Sequence, residues 1–244
     1  MRRLLLALLA ACMLASTTMS CAAVDTSTAI ETPQCESCLD DLSAHILGVT
    51  VKILVMADIP GGTLVSHGTG VIIGRSDNKY LIQTNKHVVT IKNNVEPGKL
   101  VYYNVEHPTA GNMRATVLAT RADIDAALLV IECNKSLPVA EFAKETPPLL
   151  TPVYHYGFGG VWFKGPFFTT GIFSSKTRVW TSLPGAWTAQ CPVWYGCSGG
   201  GIFLRDGTLL GIVAMTDTSI RGGWLSGFVP HTELVKWFKA LGLK

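Results

Sequence analysis

Charge is scarce in this sequence. Only 15% of its 244 residues are Asp, Glu, Lys or Arg, and the signs nearly cancel, 20 basic against 17 acidic. Disorder requires low hydrophobicity and a strong charge imbalance, so 48% hydrophobic residues at a net charge of +3 argue against it. The same balance leaves no basic stripe for nucleic acid, and no such partner is expected. Long apolar runs are also missing: the longest, Leu4–Ala15, has 12 residues, short of the roughly 18 needed to span a bilayer. There are no sustained heptads and no internal repeats, which excludes coiled coils and solenoids. What the chain does have is glycine, 24 residues of it, together with short β-branched segments.

The apolar run follows Met1-Arg2-Arg3 and precedes small and polar residues ending in Ser20-Cys21-Ala22. A positive start, a short apolar middle and a small-x-small site are the parts of a secretory signal peptide, expected over residues 1–22. Its removal takes away Arg2 and Arg3 and lowers the formal charge from +3 to +1. The mature protein is expected to be secreted, or to lie in the periplasm or cell envelope. Cys12, in Leu9-Ala10-Ala11-Cys12, and Cys21 each offer a possible lipid anchor. Residues 23–44 read as an extension holding Cys35-Glu36-Ser37-Cys38, and 45–244 as one folded domain.

Within that domain, Gly48–Met56, Thr63–Ile73, Lys79–Gln83, Leu100–Val105, Ala127–Ile131, Thr170–Phe173, Ile202–Leu204 and Leu209–Met215 read as strands. Pro60-Gly61-Gly62, Ser76-Asp77-Asn78, Pro97-Gly98 and Asp206-Gly207 supply turn chemistry between them. The pattern is antiparallel all-β. One helix is expected, at the C-terminus: Thr232 caps it, Leu234, Val235, Phe238 and Leu241 share a face, and Gly242 stops it.

Three segments carry chemistry. In Tyr195-Gly196-Cys197-Ser198-Gly199-Gly200-Gly201, glycines around a serine let a substrate carbonyl approach the backbone, where the Gly196 and Ser198 amides can serve one oxyanion. A serine hydroxyl needs an imidazole to take its proton. His87, at the end of the apolar Leu81–Thr84 segment, has the best setting of the six histidines; His45, His107, His155 and His231 read as surface or packing residues, with His67 the one to check. The imidazole in turn needs a carboxylate on its other nitrogen. Asp125 opens the apolar strand Ala126–Ile131 and is preferred to Asp123, two residues earlier. The chain order His, Asp, Ser is that of the chymotrypsin arrangement.

With these motifs in order, the chain resembles a trypsin-like serine protease of the bacterial high-temperature-requirement type over residues 45–242. Gly68-Thr69-Gly70 through Thr84-Asn85-Lys86-His87 is similar to that family's histidine hairpin, Asp125-Ala126-Ala127-Leu128-Leu129 to its acid signature, and Gly196-Cys197-Ser198-Gly199-Gly200 to its nucleophile loop. Tyr156–Gly159, Thr170–Ser174, Gly207–Val213 and Gly227–Pro230 resemble its second barrel. The resemblance implies an all-β fold of two perpendicular antiparallel β-barrels, at about 45–140 and 141–230, followed by a helix at 231–242. It implies a serine endopeptidase acting on protein or peptide substrates with His87, Asp125 and Ser198 as catalytic residues, Gly196 and Ser198 as the oxyanion hole, and no metal or other cofactor. The S1 pocket would involve Pro192, Ala214 and Thr216, where no acid is present, so an apolar or small P1 residue is expected. Cys197 stands where the family usually has Asn or Asp, which argues against activation by a newly cut N-terminus, and the PDZ domain that many of these relatives carry is not expected. Two other readings remain open: a catalytically silent, protease-like binding protein, and a cysteine protease using Cys197. Five cysteines outlast signal removal, an odd number. Cys35 and Cys38 could form a local disulfide, stay as thiols or supply half a zinc site, and Cys191 and Cys197 could bridge across the loop.

Overall fold

A computed structural model describes residues 36–59, 62–90, 101–160, 165–176, 182–216 and 225–243. Six strands, β1 (Thr50–Ile59), β2 (Gly62–Ser76), β3 (Lys79–Thr84), β4 (Val101–His107), β5 (Gly111–Arg121) and β6 (Ala126–Glu132), close into one antiparallel barrel in the order β1-β2-β3-β6-β5-β4. Six more close a second: β7 (Pro152–Gly157), β8 (Phe167–Ser175), β9 (Trp187–Gln190), β10 (Gly201–Phe203), β11 (Leu209–Thr216) and β12 (Leu225–Pro230), in the order β10-β11-β12-β9-β8-β7. The expected two-barrel all-β fold is therefore present. Closure pairs the edge strands that would otherwise invite association.

Alternation fills each barrel. On β1, Val51, Ile53 and Val55 are fully buried and pack with Ile82, Leu129 and Ile131, while the residues between them face outward. The second barrel is filled by Val153, Phe173, Ile202, Val213 and Phe228. Two of the four turns read from the sequence are described and behave as read: Asp77 (φ 56°) turns β2 into β3, and Gly207 (φ 82°) turns β10 into β11 while Asp206 Oδ1 accepts from Thr208 N at 3.0 Å; Pro60-Gly61 and Pro97-Gly98 lie outside the described residues.

Three helices complete the described chain: α1 (Glu36–Val49), the single turn α2 (Lys86–Val89) and α3 (His231–Ala240). The first was not anticipated. Leu42, Ile46 and Val49 recur at helical spacing and pack with Val71 of the first barrel and Phe203 and Leu209 of the second, so α1 seals a seam between the barrels. It occupies the residues read as the end of an extension and the start of a strand at Gly48, and the expected division between residues 44 and 45 falls inside it.

Helix α3 seals another seam. Leu234, Trp237 and Phe238 pack on Ile124, Ala126 and Leu128 from one barrel and Ile212 and Val229 from the other. Its start corrects the sequence reading: the N-cap position is Pro230 and makes no side-chain cap, so Thr232 lies inside the first turn. Pro230 suits the place because strand β12 runs directly into the helix and its fixed φ matches the extended backbone there (φ −73°, ψ 153°). The buried face is also shifted, with Trp237 inside and Leu241, just past the last turn, 43% exposed. Gly242 (φ 72°) does end it.

Candidate active site

The first half of the site is built by the end of the first barrel. Strand β3 stops at Thr84, and α2 drives Val88 and Val89 into the core, which swings His87 the other way, into the cleft. Asp125 ends the turn after β5 with φ 51°, a left-handed conformation that Asp tolerates better than most residues, its amide donating to Ala122 O at 3.2 Å. That turn points the carboxylate back at α2. Oδ1 accepts from the His87 amide at 2.9 Å and Oδ2 lies 2.6 Å from His87 Nδ1, while Asn85 Nδ2 donates to the Asp125 carbonyl at 3.0 Å. A carboxylate at Nδ1 fixes the proton there and leaves Nε2 as an acceptor. Asp123 faces away, in a bidentate pair with Arg121 at 2.8 Å for each bond, and that guanidinium holds its carboxyl below the usual range.

The second half is the loop between β9 and β10. Its peptide planes are pinned one by one. Tyr195 O accepts from Gly160 N at 2.5 Å, Gly196 O from Thr69 Oγ1 at 2.7 Å, and Cys197 O from Gly200 N at 2.9 Å. Among the described residues no peptide is cis, so each amide points opposite the carbonyl of its own plane. Holding Tyr195 O and Cys197 O thus aims the Gly196 and Ser198 amides the other way, and among the described residues neither finds a protein acceptor. By contrast the Cys197 amide bonds to Trp194 O at 2.9 Å and the Gly199 amide to Val213 O at 2.8 Å. The loop requires glycine at two points. A Cβ on Gly196 (φ 97°) would meet Phe158 O and His67 Nε2, and one on Gly199 (φ 84°) would meet Thr69 O and the Thr84 hydroxyl.

Thr69, a residue given no role of its own in the sequence reading, joins the halves. Fully buried on β2, it donates its amide to Ser198 O at 2.8 Å and its hydroxyl to Gly196 O, and its Oγ1 accepts from Phe158 N at 3.1 Å. Thr84 Oγ1 in turn donates to Thr69 O at 2.7 Å. Only its place between two glycines, Gly68 and Gly70, could have pointed to it.

His87, Gly196 and Ser198 line one open cavity of about 450 Å³, together with His67, Gly160, Trp194 and Tyr195. No hydrogen bond joins His87 to Ser198 among the described residues. A second cavity of about 430 Å³ lies on the other flank of His87 and is lined by Asp125, Leu183, Ala214 and Met215. Ala214 is thus beside the His87–Asp125 pair, Pro192 is half-buried just after β9, and Thr216 ends β11 with Oγ1 donating to Leu225 O at 3.4 Å. Residues 217–224, between β11 and β12, lie outside the described residues. A larger hollow of about 540 Å³ near Pro184 and Glu233 is lined by Asp123 but by none of His87, Asp125 and Ser198.

The family model for the trypsin-like peptidase domain matches residues 68–212, a span holding His87, Asp125 and Ser198. The chain belongs to the trypsin-like peptidase family. A search of curated proteins found no match. In this trypsin-like peptidase two cysteines and a histidine lie buried under the nucleophile loop. Cys191 and Cys197 are buried free thiols, so the bridge considered between them is not formed, and burial pushes both up to about 11. Cys197 packs in the core of the second barrel with its sulfur turned from the cleft, which removes the geometric basis for using it as a nucleophile. His155, also fully buried beneath the loop, donates Nδ1–H to Gly201 O at 2.9 Å, and burial depresses it to about 4. Of the remaining cysteines, Cys133 is a half-exposed free thiol; Cys12, Cys21 and Cys35 and the side chain of Cys38 lie outside the described residues, as does the signal segment.

Proposed function

We propose that this peptidase is a serine endopeptidase that hydrolyses peptide bonds through an acyl-enzyme, with Ser198 as nucleophile, His87 as general base and acid, and Asp125 as the group that orients the imidazole. The supporting observation is the His87–Asp125 pair, at 2.6 and 2.9 Å, sharing a cleft with a serine whose loop aims two adjacent amides away from their pinned carbonyls. His87 Nε2 takes the hydroxyl proton as Ser198 Oγ bonds to the scissile carbon, and the carbonyl oxygen becomes an oxyanion held by the Gly196 and Ser198 amides. The carbon–nitrogen bond then breaks as the imidazolium gives its proton to the leaving amine. Water, deprotonated by the same imidazole, cleaves the ester and returns the proton to Ser198. Substrate binding brings Nε2 within reach of the hydroxyl before acylation, a contact that commonly tightens only in the enzyme–substrate complex.

The acyl part of the substrate lies toward Pro192, Ala214 and Thr216. No carboxylate stands at those positions, so an apolar or small residue precedes the cleaved bond. Cleavage after Arg faster than after Val or Leu in a peptide library refutes this preference. The substrate is protein or peptide met outside the cytoplasm, since residues 1–22 read as an export signal, and Cys12 or Cys21 offers a site for a lipid anchor. The absent His87–Ser198 hydrogen bond favours a second reading, a silent binding protein. A fluorophosphonate probe separates the two: labelling that vanishes in Ser198→Ala supports the enzyme, and a folded, unlabelled wild type supports the binder.

A further inference from the structure

The cleft contains a second imidazole that the proposed mechanism does not use. His67 lies on β2, paired across the sheet with Leu54 and immediately before Gly68 and Thr69, the segment that grips the nucleophile loop. Its ring is half-buried against Gly196: a Cβ on that glycine would come 2.5 Å from His67 Nε2. Unlike His87 it has no carboxylate beside it, and it makes no hydrogen bond among the described residues. The cavity it shares with His87 and Ser198 is also lined by Val65, Ser66, Val88, Gly160, Trp194 and Tyr195, with no acidic side chain among the described residues.

The two cavities on either side of His87 give the substrate a direction. With the acyl part toward Ala214, as proposed above, the chain crosses His87, presents its scissile bond to Ser198 and continues into the cavity that holds His67. The first residue after the bond therefore meets an imidazole with a free ring nitrogen, which can make a charge-assisted hydrogen bond to a carboxylate. From this juxtaposition we infer that His67 is a specificity-determining residue that selects an acidic side chain on the leaving-group side of the cleaved bond. Its Nε2–H donates to the carboxylate of a Glu or Asp at that position, and a Lys or Arg there meets no acidic side chain among the described residues.

The inference rests on the serine peptidase reading, and one experiment keeps their failures apart. Two fluorogenic peptides identical except for Glu or Met, similar in length, just after the cleaved bond are compared by kcat/KM. The comparison is made in the wild type, His67→Leu and His67→Lys, with fluorophosphonate labelling run alongside. The wild type is expected to prefer Glu by about tenfold, the worth of one charge-assisted hydrogen bond. In His67→Leu the ratio falls to about one, and in His67→Lys, which restores an N–H donor, the preference returns. Because each ratio is taken within one protein, a loss of turnover common to both peptides cancels. A labelled wild type that cleaves the two peptides equally or prefers Met overturns the inference alone, as does a preference for Glu that persists in His67→Leu. A wild type that neither takes the probe nor cleaves either peptide overturns the peptidase reading and this inference with it.

Discussion

Replacing Thr69 by valine removes one oxygen and keeps the shape, so it isolates the hydroxyl that ties the first barrel to the nucleophile loop. Two groups lose their partner: Gly196 O, bonded at 2.7 Å, and Phe158 N, bonded at 3.1 Å. A buried polar group left unsatisfied costs about 1–3 kcal/mol, so stability should fall by about 2–4 kcal/mol, allowing for some rescue by water. In a domain of this size that lowers Tm by roughly 4–16 °C. The effect on turnover follows from the peptide planes. Gly196 O belongs to the middle of three planes, and once released it lets the flanking Gly196 and Ser198 amides reorient, loosening donors whose individual loss costs about 100-fold or more. We therefore expect kcat to fall about 10- to 100-fold with KM little changed, because the lost alignment matters mainly in the transition state. Thr69→Ser keeps the hydroxyl and should stay within a few-fold of wild type. The assays are urea unfolding and steady-state hydrolysis of a chromogenic peptide on all three proteins. If Thr69→Val unfolds at the wild-type midpoint and turns over at the wild-type rate, the hydroxyl does not hold the loop and the reasoning fails.

Other predictions concern the pair, the buried histidine and the thiols. Asp125→Asn keeps the size but offers His87 an amide, so the imidazole loses the group that fixes its tautomer, and kcat should fall about 10⁴-fold; Asp123→Asn, at the exposed pair with Arg121, should leave kcat unchanged. His155 is neutral when folded, held down to about 4 by burial against an ordinary 6.5. The unfolded chain therefore binds more protons between pH 6.5 and 4, and stability falls as pH drops through that window, by about 3 kcal/mol in all. His231, lowered in the same direction by burial, adds to the slope. Urea midpoints measured at pH 7, 5.5 and 4 should show a shallower decline in His155→Gln than in wild type; equal declines would rule out this source. Iodoacetamide at pH 8 should alkylate half-exposed Cys133 in the folded protein and spare Cys191 and Cys197, with thiols raised to about 11, as peptide mapping would read.

The barrels were legible because their strands alternate or are wholly apolar and their turns use Asp and Gly. β5, β7 and β9 were not read as strands: along Gly111–Arg121 only Ala115 is buried, so β5 shows little hydrophobic period and is held by pairing with β4 and β6, and β9, Trp187–Gln190, is too short to show one. Helix α1 was missed for a related reason. Its buried stripe of Leu42, Ile46 and Val49 is narrow, and Gly48 near its end was read as the start of a strand, whereas that glycine sits in the helix where a Cβ would strike Pro138. In the site, His87, Asp125 and Ser198 stood out because each sits at the edge of an apolar strand or a glycine turn. Thr69 and Gly160 did not, since what they do depends on reaching a loop far along the chain: Thr69 lies 127 residues from Gly196. His67 was noticed without a reason, and its contact with Gly196 supplies one.

The central claim is that Ser198 carries the acyl group, and trapping that intermediate tests it most directly. The protein is mixed with a p-nitrophenyl ester, quenched in acid within the first turnover, and mapped by peptide mass spectrometry. The account predicts one acyl group, on Ser198, absent from Ser198→Ala and sharply reduced in His87→Ala. An acyl group on Cys197 or elsewhere, or none on a folded wild type, would contradict it.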